Sequence, residues 1–133
     1  MGNRYIFLLF VPLFLSISIN AQVVQLDPYF VTQNDTVTVT FDASRGNGAL
    51  TGYVPVYAHT GVITNLSSSV TDWRHVQGNW GTADPKVQMT SLGNNKHQLI
   101  YHINSFYSVP SNETVSHLAF VFRNTTGSVV GRS

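Results

Sequence analysis

The chain holds two tryptophans, Trp73 and Trp80, and both fall in the stretch DWRHVQGNWGTADP, Asp72–Pro85. Gly78, Gly81, Asp84 and Pro85 are turn formers, so the stretch reads as a surface loop rather than a strand interior. An indole is a large, rigid plane with little side-chain entropy to lose on binding. Such a plane suits the apolar C–H face of a sugar ring, whose hydroxyls then take hydrogen bonds from Asn, Gln, His or Asp. In this reading Tyr57 and Trp80 are platforms, His59, Gln77 and Asn79 are polar clamps, and Trp73 is a further aromatic candidate. The competing reading is packing: Trp73 caps a core and Trp80 pins its loop, since tryptophan is mostly buried on average. Trp73 precedes a short strand-like segment, which favours packing there. Trp80 has small neighbours, Gly78, Asn79 and Gly81, which would leave its face open.

Other chemistries find less support. A glycosidase needs two carboxylates about 5–10 Å apart across a cleft. Asp27, Asp35, Asp42, Asp72, Asp84 and Glu113 offer no pair that stands out, and Asp27, Asp35 and Asp84 sit beside turn formers. The histidines, His59, His75, His97, His102 and His117, lack zinc-ligand spacing; His97 and His102 would point to opposite faces of a strand. They read as scattered surface or partly packed residues. No G-x-S-x-G elbow occurs, and no cysteine is present to act as nucleophile, metal ligand or disulfide partner. The expectation is a chain without catalytic residues, metal or cofactor.

The elements that must position the aromatics are short. Thr36–Asp42, TVTVTFD, alternates strictly, with Val37, Val39 and Phe41 on the apolar face. Val23–Leu26 reads as a first strand and Val54–Thr60 as another, with Pro55 at an edge or strand start. A long irregular stretch, Gly61–Pro85, follows, with a short strand near Trp73–Val76. Lys86–Leu92 and His97–Ile103 flank GNNK, Gly93–Lys96, a hairpin signal; Leu99, Tyr101 and Ile103 share one face. Asn104–Val115 is a connection with room for one helical turn. Leu118–Phe122, LAFVF, is continuously apolar and reads as a central strand, and NTTG leads into a last arm, Ser128–Gly131. Short strands separated by turn signals, without a long helical period, predict an all-β sandwich of about seven strands.

Met1–Ala21 has the form of a secretory signal peptide: Arg4, an apolar run Ile6–Ile19 broken by Pro12, Ser16 and Ser18, and small Ala21. The run is shorter than the ~20 residues of a spanning helix. Residues 22–133 then form one small domain, secreted and free of the membrane once the leader is removed. Losing Arg4 leaves six basic against six acidic residues. Only 10% of the chain is charged, against about 25% in typical globular proteins, so its polar surface comes from Ser, Thr, Asn and Gln. This excludes a basic nucleic-acid footprint and suits a neutral, hydroxyl-rich ligand. The absence of disulfides in a small secreted domain fits a bacterial source. In a bacterium the N-x-S/T sequons at Asn34, Asn65, Asn112 and Asn124 carry no meaning.

VYAHTGVITN (Val56–Asn65), DWRHVQGNWG (Asp72–Gly81), PKVQMTSLGNNKHQL (Pro85–Leu99), FYSVP (Phe106–Pro110) and LAFVFRNTTGS (Leu118–Ser128) occur in an order that resembles one type of module. It is the N-terminal, starch-binding-like β-sandwich module of secreted bacterial alpha-amylase-type glycoside hydrolases. The resemblance runs from about Asp35 to Arg132. It implies an immunoglobulin-like sandwich that binds alpha-glucan, as polysaccharide or maltooligosaccharide, beside a downstream catalytic domain outside this sequence. It places Tyr57, His59, Trp73 and Trp80 at the aromatic-bearing positions. The alternative it leaves open is a structural spacer supporting a neighbouring hydrolase domain. No catalytic barrel lies within the chain, and the last strand after Arg132 is missing, so the sandwich is expected to be truncated there.

Overall fold

The computed structural model describes residues 23–132; the expected signal peptide lies outside them. Eight strands follow in chain order: β1 (Val24–Asp27), β2 (Thr36–Asp42), β3 (Tyr57–Thr64), β4 (Arg74–Gln77), β5 (Thr90–Gly93), β6 (Lys96–His102), β7 (Val115–Arg123) and β8 (Val130–Gly131). A 3₁₀ turn, Pro85–Val87, precedes β5, and one helical turn, α1 (Ile103–Tyr107), follows β6. The strands form two antiparallel sheets of four, ordered β1-β2-β6-β5 and β4-β3-β7-β8. This is the all-β sandwich expected from the pattern.

The core sits between the sheets, as period-two side chains require. Val37, Val39 and Phe41 of β2 point inward and pair across the ladder with Tyr101, Leu99 and His97 of β6. From the opposite sheet Ala58, Thr60 and Val62 of β3 lie beside Phe122, Phe120 and Leu118 of β7. The layers meet where Phe41 stacks on Phe122, ring centroids 4.0 Å apart. Strands β5 and β6 turn through Asn94 and Asn95, both at positive φ, as the GNNK signal demands.

A buried hydroxyl relay joins the layers. Thr60 donates to the carbonyl of Ala119 (2.7 Å), so its oxygen accepts from Tyr107 (2.6 Å), whose oxygen accepts from Tyr101 (3.0 Å). The relay runs from β6 through α1 to β3 and β7. Burial, the largest cause, pushes the Tyr107 phenol up to about 12 and the Tyr101 phenol up as well.

Several expectations need correction. The third strand begins at Tyr57, beyond Pro55, and runs on through Gly61–Thr64, which the sequence placed in the long loop. Val54 is exposed, while Tyr57, expected as an aromatic platform for a sugar ring, is buried. Lys86–Leu92 divides into the 3₁₀ turn and a short β5, because Pro85 fits the first turn of a helix and offers no ladder donor. LAFVF is the middle of a longer strand, Val115–Arg123. His97 is fully buried against Phe41 at a centroid distance of 6.4 Å, and burial pulls its imidazole below the usual range.

Tyr107→Phe should leave the Tyr101 hydroxyl without an acceptor in the core. A loss of about 1–3 kcal/mol in urea unfolding is expected, with the fold retained.

Candidate functional site

The long segment between β3 and β5 folds over the outer face of the β4-β3-β7-β8 sheet. Two charged side chains hold it there. The first is Arg123, the last residue of β7, which is fully buried. Its Nη2 donates to the carbonyls of Asn79 (2.7 Å) and Thr82 (3.0 Å), and its Nη1 to those of Asn124 (3.1 Å) and Thr125 (3.0 Å). The guanidinium also lies over the rings of Tyr57 (5.2 Å) and Trp80 (5.7 Å). No carboxylate pairs with it among the described residues; its charge is met by carbonyl dipoles and π-faces. Burial pulls its pKa below the usual guanidinium value, yet arginine keeps its proton in proteins.

The second anchor is Glu113, which is 4% exposed. It accepts from Arg74 Nε (3.1 Å) and Nη2 (3.2 Å), from His75 Nε2 (3.1 Å) and from the Thr64 hydroxyl (2.9 Å). The Arg74 hydrogen bonds, helped by those of His75 and Thr64, hold its carboxyl down to about 2. Glu113 thus ties β4 to the end of β3 from the connection before β7.

Between these anchors stands an aromatic cluster. His59 projects from the outer face of β3 with Trp80 edge-on at 5.3 Å and Trp73 tilted at 6.3 Å. Its Nδ1 lies 2.8 Å from the Gly78 carbonyl, which can only accept, so Nδ1 carries the proton there. Gly78 passes so close to β3 that a Cβ would meet the Ala58 carbonyl at 2.7 Å, and its φ is +93°. Gly127 serves Trp80 in the same way: a Cβ would lie 2.5 Å from the indole nitrogen. The indole therefore rests in a seat made by His59, Arg123 and Gly127, and remains 49% exposed.

The structure brings His59, Trp73 and Trp80 together. Asn79 adjoins them, exposed, with its backbone bonded to Asp84, Thr82 and Arg123. Tyr57 offers no open ring face: it is 3% exposed, lies under Arg123, and directs its hydroxyl to Gln88 at 3.3 Å. Gln77 is engaged within the fold, donating to the His75 carbonyl (3.0 Å) and accepting from Lys86 Nζ (2.6 Å). Trp73 is half-buried. Sequence reasoning missed Arg123 and Glu113. A signal existed for Arg123, a lone charge directly after the continuous run LAFVF; Glu113 had none beyond being the only glutamate in the sequence. No cluster of three or more His, Cys, Asp or Glu able to hold a metal occurs among the described residues.

Residues 24–130 match the model of a domain of unknown function, DUF8578, and the chain belongs to that family. No curated protein matches the chain.

Arg123→Leu should free residues 79–82 and cost roughly 2–4 kcal/mol in chemical unfolding, because four carbonyls lose one shared donor. Arg123→Lys should recover only part of this, since an ammonium cannot reproduce the planar fork. The Glu113 carboxyl is lowered in the fold relative to its unfolded value near 4.3. Its stabilisation is therefore present above about pH 4.3 and lost as pH falls through about 2. Thermal unfolding should show Glu113→Gln less stable than wild type at pH 7, with the two curves converging between pH 4.5 and 2.

Proposed function

We propose that this domain is a non-catalytic carbohydrate-binding module of a secreted polysaccharide-degrading protein, holding alpha-glucan on the Trp80 face. One observation carries the reading: a half-exposed indole is held in a fixed seat by a buried arginine acting on the loop backbone. A platform for a sugar gains from such support, because preorganisation cuts the ordering cost of binding. His59 and Asn79 stand beside the indole as hydrogen-bonding groups for sugar hydroxyls, and Trp73 lies tilted against the imidazole at 6.3 Å. Tyr57 and Gln77 act from beneath, Tyr57 as a support for Arg123 and Gln77 through its bond to Lys86.

The supporting resemblance is to starch-binding-like modules that precede alpha-amylase-type catalytic domains. On that reading the module is exported and works beside a downstream hydrolase domain. A second reading, a structural spacer, draws on the burial of Tyr57 and the internal use of Gln77, which leave Trp80 as the one largely exposed aromatic of the candidate set.

Affinity electrophoresis separates the two. In an amylopectin gel the wild-type chain should be retarded and Trp80→Ala should lose most of that retardation, with binding weakened about tenfold or more. Trp73→Ala should instead lower thermal stability. Iodide quenching should reach Trp80, and maltooligosaccharide should protect it. No retardation of the wild type would remove the binding reading and leave the spacer.

A further inference from the structure

One side chain beside Trp80 has its hydrogen-bonding sense set by the fold. His59 donates from Nδ1 to the Gly78 carbonyl at 2.8 Å, so the neutral ring keeps its proton on Nδ1 and leaves the Nε2 lone pair free. Nε2 has no partner among the described residues and is not buried. The peptide unit that imposes this tautomer is held on both sides. Its carbonyl, from Gly78, meets His59, and its N–H, from Asn79, donates to Asp84 Oδ2 at 3.3 Å. Gly78 itself packs against Ala58, Val87 and the His59 backbone at φ +93°, and the next carbonyl, that of Asn79, is held by Arg123 at 2.7 Å. Turning this peptide over to accept a proton elsewhere would break every one of these contacts.

The other polar groups near the indole have a different standing. The Asp84 carboxylate is taken up by the backbone N–H groups of Asn79 and Lys86. Gln77 Oε1 is taken up by Lys86. Asn79 enters its bonds through its backbone, and its exposed side-chain amide offers both a donor and an acceptor. The indole N–H can only donate. His59, 5.3 Å from Trp80 between ring centroids, therefore supplies an acceptor that cannot switch roles while the ring is neutral.

We propose that His59 reads the ligand through this lone pair: the site takes a sugar hydroxyl that donates to Nε2 and discriminates against an ether oxygen at the same position. The inference rests on the sugar-binding reading and adds which partner of the hydrogen bond the ligand must be. Two acceptors set face to face leave both lone pairs unpaired away from water. A site built to hydrogen-bond a hydroxyl rejects the analogue that lacks the donor. The ligand is thereby a neutral glucan whose hydroxyl at this position is free, and an O-methylated one is refused.

Two measurements on the intact chain test this. At about pH 8, ¹⁵N NMR of the imidazole should show His59 protonated at Nδ1 and bare at Nε2 before any ligand is added. Maltoheptaose should then shift Nε2 while Nδ1 keeps its proton. The second measurement compares maltotriose with maltotrioses carrying one O-methyl group, each hydroxyl in turn, as competitors against amylopectin. Methylation of at least one hydroxyl should weaken binding about tenfold. In His59→Gln, whose amide can donate as well as accept, that penalty should shrink to about threefold or less. A proton on Nε2 in the free chain overturns the inference. So does binding that leaves Nε2 unshifted, or a methylation penalty that is the same in His59→Gln. Each of those results leaves sugar binding standing, whereas failure of maltoheptaose and amylopectin to bind at all removes that reading and this inference together.

Discussion

The outer half of the molecule depends on one guanidinium. Arg123 ends β7, and from there it reaches two loops that are far apart in sequence, Asn79–Thr82 and Asn124–Thr125. An arginine this deeply buried is costly unless its donors are used, and four of them are. The cost of desolvation is offset by short bonds to carbonyls that would otherwise face outward from turns. Tyr57 supports the cation from below and Trp80 closes it from above. The candidate site is the upper surface of that stack. Its geometry follows from the need to satisfy a buried charge, and the sugar-binding reading borrows a rigidity that folding has already established.

A second polar centre works by another logic. Glu113 gathers Arg74, His75 and Thr64 into a nearly closed set of hydrogen bonds. It fixes the far end of the loop, so the tryptophans lie on a segment held at both ends. The hydroxyl relay from Tyr101 to Ala119 then links this outer layer to the core, because Thr60 alternates along β3 with His59. In a chain with few charges and no cysteine, these polar centres, one of them the Glu113–Arg74 ion pair, carry the specificity that disulfides supply elsewhere.

What could be seen in the sequence was whatever a local pattern encodes. Thr36–Asp42 alternates, and it is strand β2 from first residue to last. GNNK needs positive φ, and it turns between β5 and β6. Gly78 and Gly81 around Trp80 signalled an open indole, and Trp80 is half-exposed. The misses all concern partners distant in the chain. Tyr57 reads as a surface residue because its neighbours alternate with it, yet Arg123, 66 positions later, covers its ring. Glu113 looks like a loop carboxylate until β4 brings Arg74 and His75 to it. Strand β3 runs past Gly61 because the loop backbone near Trp73 and Arg74 packs against that glycine, a contact no neighbouring residue announces. His97 lies at an inward position of β6, but nothing in its spacing separates a core imidazole from a surface one.

Every bond that Arg123 makes within the loops ends on a main-chain oxygen. The arginine fixes where the backbone runs and is blind to the side chains at 79, 82, 124 and 125. Asn124 and Thr82 still bond their own loops through their side chains, but Asn79 and Thr125 are free to change identity while the seat of Trp80 stays in place. Anchoring is thereby separated from the chemistry around the indole: relatives can exchange some of those groups without rebuilding the support. Arg123, Gly78 and Gly127 are the positions where that freedom ends.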